Sequence, residues 1–139
     1  MTNTLAYSLG DVVVKGFTLI ELLVVVVILS VLAAIGVPMY SGYLDAADVS
    51  VVHNNLRSIY LQEQEYFINN NGFYNTGATC VDSTAAINTT LFAGTQVLET
   101  EQGFYYCITQ ASAAEFLAEA REITGTRIFT INHLNVTNF

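Results

Sequence analysis

Basic residues are scarce in this sequence. The chain of 139 residues has four of them, Lys15, Arg57, Arg121 and Arg127, against 12 acidic residues, for a net charge of −8. Binding a phosphate backbone needs clustered Lys and Arg, so direct nucleic-acid binding is not expected of this chain. Tryptophan is absent and Pro38 is the single proline. The two histidines, His53 and His133, stand at no metal-ligand spacing from Cys, Asp or Glu and read as surface or core-edge residues. No glycine-rich phosphate loop or nucleophile elbow is present. Glu63 and Glu65, two apart on a helix, point to different faces and form no carboxylate pair. The expectation is therefore a non-enzymatic protein with no cofactor and no metal. Asn88-Thr89-Thr90 and Asn135-Val136-Thr137 fit the N-glycosylation pattern, at about the frequency chance gives in an Asn- and Thr-rich chain.

Against these absences stands one long apolar run. From Phe17 to Met39 the sequence is long enough to cross a bilayer core as a helix, and its single charge is Glu21, near the front. An ionised carboxylate at that depth costs a few kcal/mol on insertion scales and usually marks a function and a partner. One reading is a snorkelling or protonated glutamate in an ordinary signal anchor. The other is neutralisation by a positive charge, made by cutting the chain just before Phe17. Residues 1–16 contain no apolar core of their own, so they do not read as an ordinary secretory signal. Lys15 and the initiating amine supply a weak positive-inside bias.

Lys15-Gly16 followed by Phe17-Thr18-Leu19-Ile20-Glu21-Leu22, with Pro38 after the apolar run, resembles the processing site of type IV prepilins and the related pseudopilins. The resemblance covers roughly the first third of the chain closely and the rest in general layout. It implies a leader of residues 1–16, removed by a prepilin peptidase between Gly16 and Phe17, and N-methylation of Phe17. The new amine would lie about one helical turn from Glu21, and the pair offsets part of the desolvation cost each charge carries alone. If the amine belongs to a neighbouring subunit, Glu21 sets the axial register of assembly.

The implied fold is α+β: a long N-terminal helix packed on a small antiparallel sheet. The implied function is that of a pilus filament subunit supporting adhesion, motility or DNA uptake as part of a larger machine. Its partners would be copies of itself or other pilins, the peptidase and an inner-membrane assembly platform. Its place would be the bacterial inner membrane as precursor, then the extracellular pilus. A pseudopilin of a type II secretion system shares Gly16, Phe17 and Glu21. Major pseudopilins carry an acidic calcium loop near the C-terminus and usually lack a disulfide, whereas this chain has no acidic residue after Arg127. A third reading is a membrane-anchored binding module that never polymerises.

Along the chain, residues 17–39 form the membrane and assembly half of the helix and 40–71 its amphipathic half. Val49, Val52, Leu56, Ile59, Tyr60, Tyr66 and Phe67 recur there at spacings of three and four. Gly36, Pro38 and Gly42 predict a break, with a kink or local melting near Ala34 to Pro38. Asn69-Asn70-Asn71-Gly72 ends the helix. Residues 72–102 read as a connecting loop, with short strands or a helical turn at Thr89–Phe92 and Gln96–Glu99. Residues 103–139 form the sheet region, and 40–139 together one globular domain.

Gly103–Thr109 and Thr126–Asn132 are the clearest strands. Ser112–Glu122 has helical propensity, but the resemblance favours a strand, with Phe116, Ala118 and Ala120 inside, Leu117, Glu119 and Arg121 outside, and a hairpin turn at Gly125. His133–Phe139 is an edge segment or a frayed end. Cys80 and Cys107 both fall in the exported part, where an even pair usually forms a disulfide. Two free thiols are the alternative. The aromatic series Tyr40, Tyr43, Tyr60, Tyr66, Phe67, Phe73 and Tyr74 reads as core packing plus an interfacial belt rather than an electron path.

Overall fold

Thr18 and Glu21 open the long helix. The Glu21 backbone N–H donates to Thr18 Oγ1 at 3.3 Å, and Leu22 N–H closes the first turn on the Thr18 carbonyl. A threonine followed three residues later by a glutamate is the capping-box pattern, and a carboxylate in the first turn also favours the helix dipole. From this cap, helix α1 runs Leu19–Asn70, 52 residues. A computed structural model describes residues 16–139. The chain divides into two compact units between Ser41 and Gly42, each described by itself.

In the first unit, every described residue is exposed. The Ser30 hydroxyl donates to the Val26 carbonyl at 2.7 Å, which satisfies a polar group inside the apolar stretch. Of the kink or local melting expected at Gly36, Pro38 and Gly42, the melting is not seen: helical structure runs on through all three. Proline removes one N–H and crowds one preceding turn, and the turns on either side keep their own bonds. Ser41 Oγ donates to the Pro38 carbonyl at 3.0 Å.

In the second unit, the helix buries Val52, Leu56, Ile59 and Glu63, spaced four, three and four apart. Asn71 ends the helix at φ 57°, its N–H bonded to the Phe67 carbonyl at 2.8 Å. A second helix, α2, spans Thr84–Leu91, where the sequence reads as loop. Asp82 Oδ1 accepts from the Thr84 N–H and hydroxyl, and Ile87 and Leu91 reach the core.

Three strands follow, β1 (Phe104–Ser112), β2 (Glu115–Glu122) and β3 (Ile128–Asn132), in one antiparallel sheet of order β1-β2-β3. Register sets Phe104 opposite Glu122, Ile108 opposite Ala118, and Ala120 opposite Phe129. The inner face carries Phe104, Tyr106, Ile108, Phe116, Ala118, Ala120 and Ile131, which close the core with Val52, Leu56 and Ile59. Helical propensity over Ser112–Glu122 loses because a central strand satisfies its backbone on both sides and buries three small or aromatic residues on one face.

Both sheet edges are covered, which removes the pairing hazard of open strands. Along β1, the Thr76 N–H donates to the Ile108 carbonyl, Ser83 N–H to the Tyr106 carbonyl, and Thr84 Oγ1 accepts from the Tyr106 N–H. Along β3, Asn138 accepts from the Thr130 N–H, donates from its side chain to the Ile128 carbonyl, and Thr137 bridges Ile131. One expected outward residue differs: Glu119 is 8% exposed. It lies opposite Cys107, under the loop that Cys80 brings across this face, and Arg121 Nε donates to its carboxylate at 2.7 Å. The β2–β3 turn folds around Glu122, whose carboxylate accepts from the Arg127 N–H and guanidinium. A side chain at Gly125 would meet that carboxylate.

Candidate assembly site

The apolar stretch of α1 is long and apolar enough to cross a membrane, and none of it is buried by the described residues. A helix apolar on all sides belongs in lipid or among other helices. Phe17 lies just outside the helix and is 80% exposed. A side chain at Gly16 beside it would meet no other described residue. In the uncut chain the Phe17 nitrogen is an amide. Only hydrolysis of the Gly16–Phe17 bond turns it into the amine that Glu21, four residues on, could neutralise. Glu21 is exposed, and its side chain has no ion-pair partner among the described residues. Its backbone lies in the cap with Thr18, a local role that the Thr-x-x-Glu spacing signals and that the charge argument alone passes over.

The cysteines meet in the second unit. Cys80 and Cys107 are disulfide-bonded, with Cα atoms 5.3 Å apart. The bond fastens the connecting loop to the outer face of β1, where Cys107 is fully buried. Arg127 ties the same unit elsewhere. Its guanidinium donates to both carboxylate oxygens of Asp45 at 3.1 and 2.9 Å and to Glu122 at 2.7 Å. Those bonds hold the Glu122 carboxyl below its usual range, the Arg127 hydrogen bond leading.

Glu63 was not singled out in the sequence as a core residue. It is fully buried, and its Oε2 accepts the Tyr74 N–H at 2.9 Å. The signal was there: Val52, Leu56 and Ile59 extend by four to 63. The aromatic series divides as expected between packing and exposure. Phe73 meets Phe67 at 4.6 Å and Phe116 at 4.8 Å, while Tyr40 and Tyr43 are exposed. His53 stacks on Phe139 at 4.0 Å. Asn88 is buried, its side-chain amide donating to the Leu98 carbonyl and accepting from the Val97 and Leu98 N–H groups, so its sequon is not presented at the surface.

Residues 13–37 match the family described as the prokaryotic N-terminal methylation motif. The type IV major fimbrial protein FimA of Dichelobacter nodosus is 55% identical over 38 residues, 27% of this chain and 24% of that protein. The type IV major pilin protein PilA of Myxococcus xanthus is 38% identical over 53 residues, 38% of this chain and 24% of that one. Type II secretion system core protein G of Pseudomonas aeruginosa is 41% identical over 62 residues, 45% of this chain and 44% of that one. The matched part thus spans about a quarter of the pilins and under half of the secretion protein. Over its N-terminal part the chain is thus similar both to type IV pilins and to a type II secretion pseudopilin.

Proposed function

We propose that this chain is a structural subunit of a type IV pilus, clipped between Gly16 and Phe17, methylated at Phe17 and polymerised through its apolar helix. The observation that carries the reading is the stretch from Phe17 to Met39, left uncovered by the rest of the chain, with one carboxylate at its front. Lipid covers that surface in the precursor, and copies of the same helix cover it in a filament. In the fibre, Glu21 of one subunit meets the Phe17 amine of the next. Subunits joined head-to-tail by a contact that does not close make a fibre. The second half of α1 and the sheet form the subunit's globular domain, residues 40–139. Prepilin peptidase and an inner-membrane assembly platform are the partners this route requires, and the mature subunit ends in an extracellular pilus. Adhesion, motility or DNA uptake would belong to the assembled machine.

A second reading, a pseudopilin of a type II secretion system, is favoured by the match to core protein G, which extends further along the chain than the pilin matches above. Electron microscopy of sheared surface material, with mass spectrometry of its protein, separates the two. Fibres built mainly of a chain starting at methylated Phe17 support the pilin reading. A processed chain that stays in the membrane without fibres supports the pseudopilin. A chain still carrying residues 1–16 overturns both.

A further inference from the structure

Glu63 occupies a place where a carboxylate is expensive. Its position on the buried stripe of α1 puts it wholly out of solvent, and among the described residues it accepts one hydrogen bond, from the Tyr74 N–H. Oε1 has no partner among the described residues. A buried carboxylate with one donor is poorly satisfied, whereas a neutral acid at the same place is far less costly. Burial pushes Glu63 up to about 7, opposed by the Tyr74 bond.

The titratable groups on the elements around it are largely phenols. Tyr60 and Tyr66 lie on its own helix, Tyr74 on the loop, and Tyr106 on β1, where its hydroxyl accepts from Asn55. Asp82 on the loop, Glu115, Glu119 and Arg121 on β2, and His133 after β3 add charges, and none of them contributes to the shift.

Phe73 and Tyr74 are where the chain, having turned at Asn71, attaches to the core: the Phe73 N–H donates to the Ala113 carbonyl, its own carbonyl accepts from the Gln110 side chain, and Tyr74 N–H meets Glu63. Beyond them, Thr76 pairs with Ile108, and Cys80 is fixed to Cys107. Residues 73–79 are therefore bounded by a covalent staple at one end and, at the other, by a group of bonds in which Glu63 supplies the buried ionisable partner. We propose that Glu63 is a pH-operated latch on this segment: as a neutral acid it keeps residues 73–79 closed on the core, and as a carboxylate it draws in water and loosens them. The disulfide limits the motion at the Cys80 end of that segment.

The sign follows from the raised value. Between the ordinary carboxylate range and about 7, the folded chain holds a proton the unfolded chain has lost, so stability falls as pH rises through that window and levels off above it. The test is hydrogen exchange with mass spectrometry on the full chain in detergent micelles at pH 6 and 8.5, corrected for the intrinsic pH dependence of exchange. Peptides covering 73–79 are expected to lose roughly tenfold in protection at the higher pH, with Glu63→Gln flat across the range. The same loss in wild type and Glu63→Gln, or no loss in wild type, overturns the latch. Should the variant fold poorly, a carbon-13 titration of the wild-type Glu63 carboxyl decides: a midpoint near 7 supports the proposal, and one near 4.5 overturns it.

Discussion

The two compact units of this chain treat apolar surface in opposite ways. In the first, the described residues are exposed and apolar, with one carboxylate, Glu21. In the second, the apolar side chains close on each other, both sheet edges are occupied, and the connecting loop is stapled down by a disulfide. One unit is complete as a fold; the other is complete only when something outside the chain covers it. The two glutamates mark the difference. Glu21 has no ion-pair partner among the described residues, and Glu63 has been sealed in with a single backbone donor. Assembly chemistry is therefore expected at the first unit, and stability chemistry at the second.

The largest expected effect falls on the uncovered unit. Glu21→Ala should abolish or nearly abolish filaments while leaving the globular unit folded, because that unit closes its core with residues of its own. Counting fibres by electron microscopy, with circular dichroism of the purified chain, checks both halves. Abundant fibres from the variant would remove Glu21 from the assembly mechanism and reduce it to a capping residue for α1.

Next in size is the staple of the covered unit. Replacing both cysteines, Cys80→Ser with Cys107→Ser, should lower stability by about 3.5 kcal/mol, the loop-entropy value for a closure of this length. The disulfide is distant in sequence from the apolar stretch, so leader cleavage should proceed unchanged. Urea unfolding in micelles measures the first, and an amino-terminal sequence of the membrane protein the second.

Glu63 gives an effect of similar or smaller size and a different signature. Its shift, from 4.5 to about 7, corresponds to roughly 2–3 kcal/mol of stability lost as pH rises across that window. The loss should be missing in Glu63→Gln. Chemical unfolding from pH 4 to 8.5 measures it. Parallel curves for the two proteins would mean that water reaches the carboxyl.

How much of this was legible depends on the kind of signal. The long helix, its end near Asn70 and the strands at Phe104 and Ile128 follow from periodicity and β-branched or aromatic runs, because each is written locally. Strand β2 was readable only through the resemblance. Its Ala- and Glu-rich sequence favours helix, and the pairing on both sides that overrides it is non-local. Helix α2 was missed because Ser83-Thr84 and Asn88-Thr89-Thr90 look like loop. What makes them helical is Asp82 at the start and the packing of Ile87 and Leu91. Glu119 was expected in water because the alternation of β2 says so, and that pattern carries no word of a loop crossing above it. The break at Pro38 was overestimated, since one lost N–H does not stop a helix whose neighbouring turns are intact. Thr18-x-x-Glu21 and the Leu56-Ile59-Glu63 spacing were present in the sequence and could have been read.

The smallest effect is expected where the chain passes from one regime to the other. Asp45 is the first charged residue after Glu21, and Arg127 bonds both its oxygens. The side chains are 59% and 38% exposed, and exposed ion pairs contribute little and less in salt. Asp45→Asn should leave global unfolding almost unchanged and speed hydrogen exchange only in the α1 turns around it. That local change should vanish in 1 M salt, since screening weakens the same pair in the wild type. Glu122→Gln should do more, because Glu122 also accepts the Arg127 backbone N–H and fills the turn at Gly125. If instead Asp45→Asn destabilises the unit as much as loss of the disulfide does, the entry of the helix into its core depends on this pair. The difference between the two units would then rest on a single arginine as well as on the apolar stripe.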